Sequence, residues 1–423
     1  MSNLRKTLFR RGFFTLWSSQ IISEFGDRLN QMALVALVYS KAPGSVSAMA
    51  KLVFFTIIPV FIVGPVAGAL ADRWSRKKIM IIADVSRGAM AAMIPFFVSR
   101  GFMPAVYVLI FLIFSGTRFF LPSKMAIIPC VVPEEDLLEA NALTSTTRVI
   151  ASALGFVVSG FLVKWLGYSW GFYIDGLTYF ISAALIFTIA MRALPGEKPR
   201  TFSSPATSEL IKAVVRKNLF KEMIEGLSFM TKPGKMREMS LALFFVMSGA
   251  GFIFCVLIVF VQEIMKGSTR ELGVMGAFCG VGLLFGALVY GKFWGRFNKV
   301  KSMLAASALT GISLSFFAAN EMFTGEHALR WLALFLTGFF AGPIASCANY
   351  IAHISVPDEA RGRVFSSMES IMHLGFILFM GISALAARVF STFDILFWGG
   401  IMFSASALIG IFMVRRRQER QTA

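Results

Sequence analysis

Long apolar runs, each broken by a short polar stretch, follow one another from end to end of the chain. They fall at roughly 12–40, 46–70, 79–99, 105–127, 141–164 and 171–191, then at 238–265, 271–293, 301–320, 329–351, 364–388 and 393–414. A helix needs about 20 apolar residues to cross the hydrocarbon core. Within lipid the backbone must bond to itself, as a helix or a closed barrel. These runs are continuous rather than alternating, so they predict helices and not barrel strands. The pattern is that of an all-α integral membrane protein, with about twelve transmembrane helices in two six-helix halves.

The halves predicted are 1–191 and 238–414, joined by a linker at 192–237 and followed by a basic tail at 415–423. The linker is the only long polar stretch. Its first part is rich in Pro and Ser, while 208–230 reads equally as plain linker or as a basic amphipathic helix on the membrane surface. Each half also echoes the other. The segment from Pro122 to Asp136 has a counterpart from Pro343 to Ala360, and Gly68-Ala69-Leu70 recurs as Gly286-Ala287-Leu288. A parallel six-plus-six repeat is one way transporters are built, with the substrate site between the halves near mid-membrane.

Composition sharpens this picture. Hydrophobic residues make up 57% of the 423 and charged residues only 15%, well outside the range of soluble domains. The net charge of +18 lies in short runs between apolar segments rather than on a groove-reading element, which points to anionic lipid and not to nucleic acid. With the N-terminus inside, 28 of the 41 Lys and Arg residues fall on the inner side, eight on the outer side and five within helices or at their ends. The bias places both termini in the cytoplasm of a cell whose plasma (inner) membrane the chain crosses repeatedly. The basic N-terminus resembles a signal peptide, but no small-residue cleavage site follows, so the first apolar run reads as a retained helix. Cys130, Cys255, Cys279 and Cys347 lack zinc-ligand spacing and read as small buried hydrophobes. No Walker lysine, HExxH or Ser-His-Asp grouping is found, so neither an enzyme nor an ATP-driven pump is expected, and no cofactor or metal.

A charge at mid-membrane costs about 2.5–3.5 kcal/mol on insertion scales, so each one needs a partner or a purpose. At 100° per residue, Gln20, Glu24, Asp27, Arg28 and Gln31 form a single polar stripe on the first helix. It is either a neutralised cluster packing the bundle or the lining of a transport pathway with a titratable carboxylate. The fifth helix aligns Asn141, Thr144, Ser145, Arg148 and Ser152, and the fourth carries Arg118 beside Ser115. Helix eleven aligns Ser366, Glu369 and His373, and helix ten aligns Ser346, Asn349 and His353. On helix three, Asp84 and Arg87 are spaced to pair within the helix, a structural role. Glycine pairs at 64/68, 276/280, 282/286 and 338/342 have the spacing that lets helix backbones approach.

The loop Gly68-Ala69-Leu70-Ala71-Asp72-Arg73-Trp74-Ser75-Arg76-Lys77-Lys78 resembles the signature loop of the major facilitator superfamily, with Ser75 where glycine is usual. The resemblance implies a conformational latch made by Gly68, Asp72, Arg73 and Arg76, with Asp72 set against the N-terminus of helix eleven. Tyr290 replaces the aspartate in the second half. Four further segments look like the drug-and-macrolide proton antiporters: Phe25-Gly26-Asp27, the stretch beginning at Pro122, YIDGLTYFISA in helix six and RGRVFSSMES opening helix eleven. That group implies export of small amphipathic organic compounds by proton antiport with alternating access, by a chain working as a monomer. Lysophospholipid or siderophore transport is the alternative; a non-transporting sensor on the same scaffold is disfavoured. The residues expected on the proton and substrate pathway are Glu24, Asp27, Arg28, Gln31, Arg118, Arg148 and Glu369. Asp27, about fifteen residues into helix one, is the first candidate for coupling.

Overall fold

The computed structural model describes residues 2–71, 74–189, 235–264, 269–295, 297–354 and 361–422, with the side chains of 351–370 and 413–422 outside that description. Asp72, Arg73 and the stretch 192–234 therefore lie outside the described residues, as do the surroundings of Gly68 and the side chains of Asn349, His353, Ser366 and Glu369. The described residues form helices and no strands. In chain order these are α1 (Ser2–Leu8), α2 (Arg11–Lys41), α3 (Val46–Ile62), α4 (Gly64–Ala71), α5 (Arg76–Ser99), α6 (Met103–Val131), α7 (Leu137–Leu166) and α8 (Tyr168–Thr188). They continue as α9 (Lys235–Ile264), α10 (Thr269–Val289), α11 (Lys299–Ala319), α12 (His327–Ile354), α13 (Arg361–Ala386) and α14 (Thr392–Thr422). Nine of the helices are long and apolar enough to cross a membrane. The other three spans of a twelve-helix bundle are special cases. One is the run expected at 46–70, which divides at Val63 into α3 and α4; Pro65, lacking an N–H, follows the break. The second is α13, whose apolar part is Ile371–Ala386. The third is α2, for which every 18-residue window includes Glu24, Asp27 and Arg28.

Local chemistry sets several ends. Pro104 sits in the first turn of α6, where its missing N–H has no partner to lose. Gly167, at φ 83°, makes the turn between α7 and α8 that other residues adopt only with strain. Asn298 caps α11, its side chain accepting from the N–H groups of Val300 (3.0 Å) and Lys301 (3.1 Å). Single π-helical turns close the ends of α10 (Tyr290–Trp294) and α11 (Asn320–Thr324).

The chain forms two compact units, Met1–Leu37 with Leu52–Leu219, and Val38–Lys51 with Phe220–Ala423. In the first, α5 packs along both α6 and α8. Gly88 and Gly176 mark the α5–α8 crossing, where a Cβ on either would stand 2.9 Å from the other's carbonyl oxygen. Phe13, Leu16, Met80, Phe120, Ile127 and Ile186 form a buried core cluster there. In the second unit α9 packs on α13, α10 on α12, and α11 on both α12 and α14. Of the four glycine pairs, 282/286 and 338/342 interlock at the α10–α12 crossing, Gly286 against the Phe339 backbone and Gly338 against that of Cys279. Gly64, Gly276 and Gly280 have open space where a Cβ would be. The segment Val38–Lys51, inside the first half in chain order, belongs to the second unit: Ser47 donates to the Ala384 carbonyl (3.2 Å), and Gly44 abuts Glu263.

Exposed Ile82, Phe96, Leu154, Phe187, Phe285, Leu288 and Ile312 leave the helices coated in large apolar side chains, as lipid contact requires. Cys130, Cys255 and Cys347 are buried and Cys279 is half-buried, all as free thiols.

Candidate functional site

The polar stripe of α2 finds its partners within the first unit. Gln20 Nε2 donates to the Thr144 carbonyl on α7 at 3.2 Å. Arg28 Nη1 donates to Gln31 Oε1 at 2.8 Å, Arg28 Nη2 stands 3.7 Å from Glu24 Oε2, and the guanidinium lies over the Phe156 ring at 5.1 Å. Gly155 makes room for this: a Cβ there would meet Arg28 Cγ at 2.9 Å. The Lys124 ammonium, from α6, approaches Glu24 Oε1 at 3.9 Å with its side chain only 5% exposed. Arg148 on α7 is exposed, and its charge acts on both Glu24 and Lys124. It shares its face with exposed Asn141 and Ser145. A charged, polar face on a spanning helix requires water or headgroups rather than lipid tails.

Asp27 is held differently from its sequence neighbours. Adjacent Arg28 is the expected counter-charge, yet Arg28 turns to Glu24 and Gln31, while the Tyr179 hydroxyl on α8 donates to Asp27 Oδ1. The reason is helical geometry: residues one apart point about 100° away from each other, whereas 24, 28 and 31 share a face. One turn along, Asn30 Nδ2 donates to Oδ2 of the fully buried Asp175 at 2.5 Å. Gly26 permits this approach, since a Cβ there would collide with Thr178 Oγ1 and stand 2.7 Å from Asp175 Oδ1.

Behind Tyr179 lies a second group. Asp84 and Arg87 of α5, both essentially buried, form an ion pair, and Ser182 on α8 donates to Asp84 Oδ2 at 2.7 Å. The Arg87 guanidinium is sandwiched between the rings of Tyr179 (4.3 Å) and Phe120 (4.6 Å) and donates to Thr117 (3.3 Å). The pairing within the helix expected from their three-residue spacing is present. The result is one continuous set of polar contacts from Asp27 through Tyr179 and Arg87 to Asp84.

Arg118 is half-buried on α6. The signature loop is described only in part. Arg76 donates to the Ala126 carbonyl (3.0 Å) near the end of α6, and Lys77 donates to the carbonyls of Phe187 and Ile189 (2.7 Å each) at the end of α8. Cations are favoured where helix carbonyls lack partners. Sequence reasoning singled out none of Asn30, Lys124, Asp175 and Tyr179 as site residues. Asp175 and Lys124 were nonetheless visible as charges inside apolar runs.

Comparison with known proteins decides the family. A profile of the Transmembrane secretion effector family matches residues 1–421. The chain belongs to this branch of the major facilitator superfamily. It is a multi-pass membrane transporter, not an enzyme. Macrolide efflux protein A of Streptococcus pyogenes is 26% identical over 387 residues, covering 89% of each chain. The lysophospholipid transporter LplT of Yersinia enterocolitica is 25% identical over 343 residues, covering 80% of this chain and 79% of its own. Among solved structures, a bacterial homologue of the iron transporter ferroportin superposes with a TM-score of 0.70 at 14% identity, covering 96% of this chain and 98% of its own. That likeness confirms the twelve-helix fold of a major facilitator.

Proposed function

We propose that this major facilitator exports amphipathic organic compounds by proton antiport, with its first and second halves (1–191 and 238–414) alternating access across the membrane. Both termini face the cytoplasm in this reading, and Asp72 with Arg73 and Arg76 latches that side. The observation that carries it is the holding of two half-buried carboxylates on α2. Asp27 is bound by a neutral hydroxyl, and Glu24 stands 3.7–3.9 Å from its cations, beyond hydrogen-bond length. Contacts of this kind can be broken and remade as access changes, which a proton carrier needs; a tight buried ion pair such as Asp84–Arg87 cannot be exchanged as readily. Similarity to a macrolide efflux protein supports outward transport of a large amphipathic compound. Similarity to LplT supports a lysophospholipid as the second reading.

Proteoliposomes with an imposed pH gradient test the proposal. Asp27→Asn abolishes gradient-driven transport of the substrate while leaving passive exchange intact. Transport in Asp27→Asn that still follows the gradient refutes Asp27 as the coupling group and moves the role to Glu24 or Glu369. For the latch, Asp72→Asn shifts cysteine accessibility toward the cytoplasmic side; an unchanged accessibility pattern refutes it.

A further inference from the structure

We infer that the α2–α6–α7 site takes the acidic end of an amphiphile, a phosphate or carboxylate group, and that Lys124 is the residue that anchors it. The inference rests on the exporter reading and adds the charge class of its substrate.

The argument is a local charge count. Around Glu24 stand three cations from three helices: Arg28 on α2 at 3.7 Å, Lys124 on α6 at 3.9 Å, and Arg148 on α7, whose charge reaches both Glu24 and Lys124. The other carboxylate on this helix, Asp27, accepts from the neutral Tyr179 hydroxyl and keeps its charge, which acts on both Glu24 and Lys124. Two carboxylates therefore face three cations, which leaves one positive charge in excess at the site. The Lys124 ammonium has three donors, and among the described residues it makes no hydrogen bond; its one close acceptor, at 3.9 Å, is too far. Its one ion pair among the described residues, to Glu24 at 3.9 Å, leaves those donors free to take the oxygens of a further anion. An acidic headgroup supplies two or three oxygens to a cation that Glu24 only approaches, in charge-assisted bonds stronger than neutral ones. A cationic headgroup entering the same place meets the like charges of Arg28 and Lys124, which disfavour it. Ligand and Glu24 then compete for one ammonium, so binding of the acid releases Glu24.

The test is equilibrium binding to the purified full chain in neutral detergent, using four probes with one oleoyl-length chain: lysophosphatidate, oleate, a neutral monoacylglycerol and a trimethylammonium. Expected is binding of at least one acid about tenfold or more tighter than the neutral and cationic probes, each factor of ten being one step in the affinity scale. The acid that binds tighter identifies phosphate or carboxylate as the group recognised. Lys124→Met loses about tenfold for the acids alone, and Lys124→Arg retains them. Should Lys124→Met fail to fold, Glu24→Gln/Lys124→Met keeps the pair neutral and serves the same test. Equal or tighter binding of the trimethylammonium or the neutral probe overturns the inference, as does an equal loss for all four probes in the Met variant. Since binding needs no gradient, acid-selective binding without gradient-driven transport sinks the exporter reading alone. Gradient-driven export of the trimethylammonium with no acid binding sinks this inference alone.

Discussion

Neutralising Asp84 reveals how the first unit tolerates an arginine in its interior. Arg87 is 1% exposed and Asp84 is fully buried, so neither can turn to water when its partner is lost. Removing one member of such a pair costs about 3–5 kcal/mol, because the remaining charge is left uncompensated. In Asp84→Asn, Arg87 keeps the Thr117 hydroxyl and the faces of Tyr179 and Phe120, and each ring contributes about 2 kcal/mol when desolvated. These contacts already exist in the parent, so they hold Arg87 in place without replacing the lost anion, and the expected loss is near 3 kcal/mol, the lower end of the range. Arg87→Met strands Asp84 with Ser182 alone and loses both ring contacts, which places it near 5 kcal/mol. The double variant removes both charges, so its loss falls short of the sum of the singles by about 2 kcal/mol or more. The assay is reversible unfolding in mixed micelles titrated with a denaturing detergent. Single-variant losses that add to within about 0.5 kcal/mol in the double variant refute the reasoning, since residues in true contact are coupled.

Three other outcomes follow from the packing. Gly286→Ala drives a Cβ into the Phe339 backbone and destabilises by about 1–3 kcal/mol, while Gly276→Ala meets nothing within 4 Å and gains about 0.8–1 kcal/mol of helix propensity; the same unfolding titration reads both. Tyr179→Phe keeps the ring under Arg87 but removes the hydroxyl bonded to Asp27, with an expected loss of about 1.5–3 kcal/mol; a variant as stable as the parent shows that the bond contributes nothing. Arg330 grips Glu321 through two nitrogens at 2.6 and 2.7 Å, so Arg330→Lys, which keeps the charge and loses the fork, lowers thermal stability by about 1.5–3 kcal/mol, and an unchanged melting curve in detergent refutes it.

What the sequence made legible was set by range. The helices follow from apolar runs, and the α2 stripe follows from residues within two turns of one another, which is why Glu24, Arg28 and Gln31 come together as their spacing requires. Asp84 with Arg87 is a three-residue spacing and equally readable. Asp27 was seen to need a partner, but that partner is a tyrosine 152 residues away, and no periodicity encodes which helix lies opposite. The same holds for Asn30 with Asp175 and for Lys124 with Glu24. Glycine spacing shows the same limit: pairs 282/286 and 338/342 meet each other, while Gly276 and Gly280, equally well spaced, meet no one. Spacing states that a face is smooth; only the neighbour decides whether smoothness is used.

The polar contacts of α2 also govern how the chain is made. Any stretch of α2 long enough to cross the membrane carries Glu24, Asp27 and Arg28, and several of the groups that settle its polar side belong to α8. Asn30 precedes Asp175 by 145 residues, an interval of about 7–30 s at ~5–20 residues synthesised per second. During that interval the first span to leave the ribosome has no Tyr179 or Asp175 to bond with. It must be sheltered, by the insertion machinery or by a shallow position near the headgroups, until α8 arrives. The first span is thus settled only when the sixth has been made, and a fragment ending before Tyr168 exposes α2 to quality control.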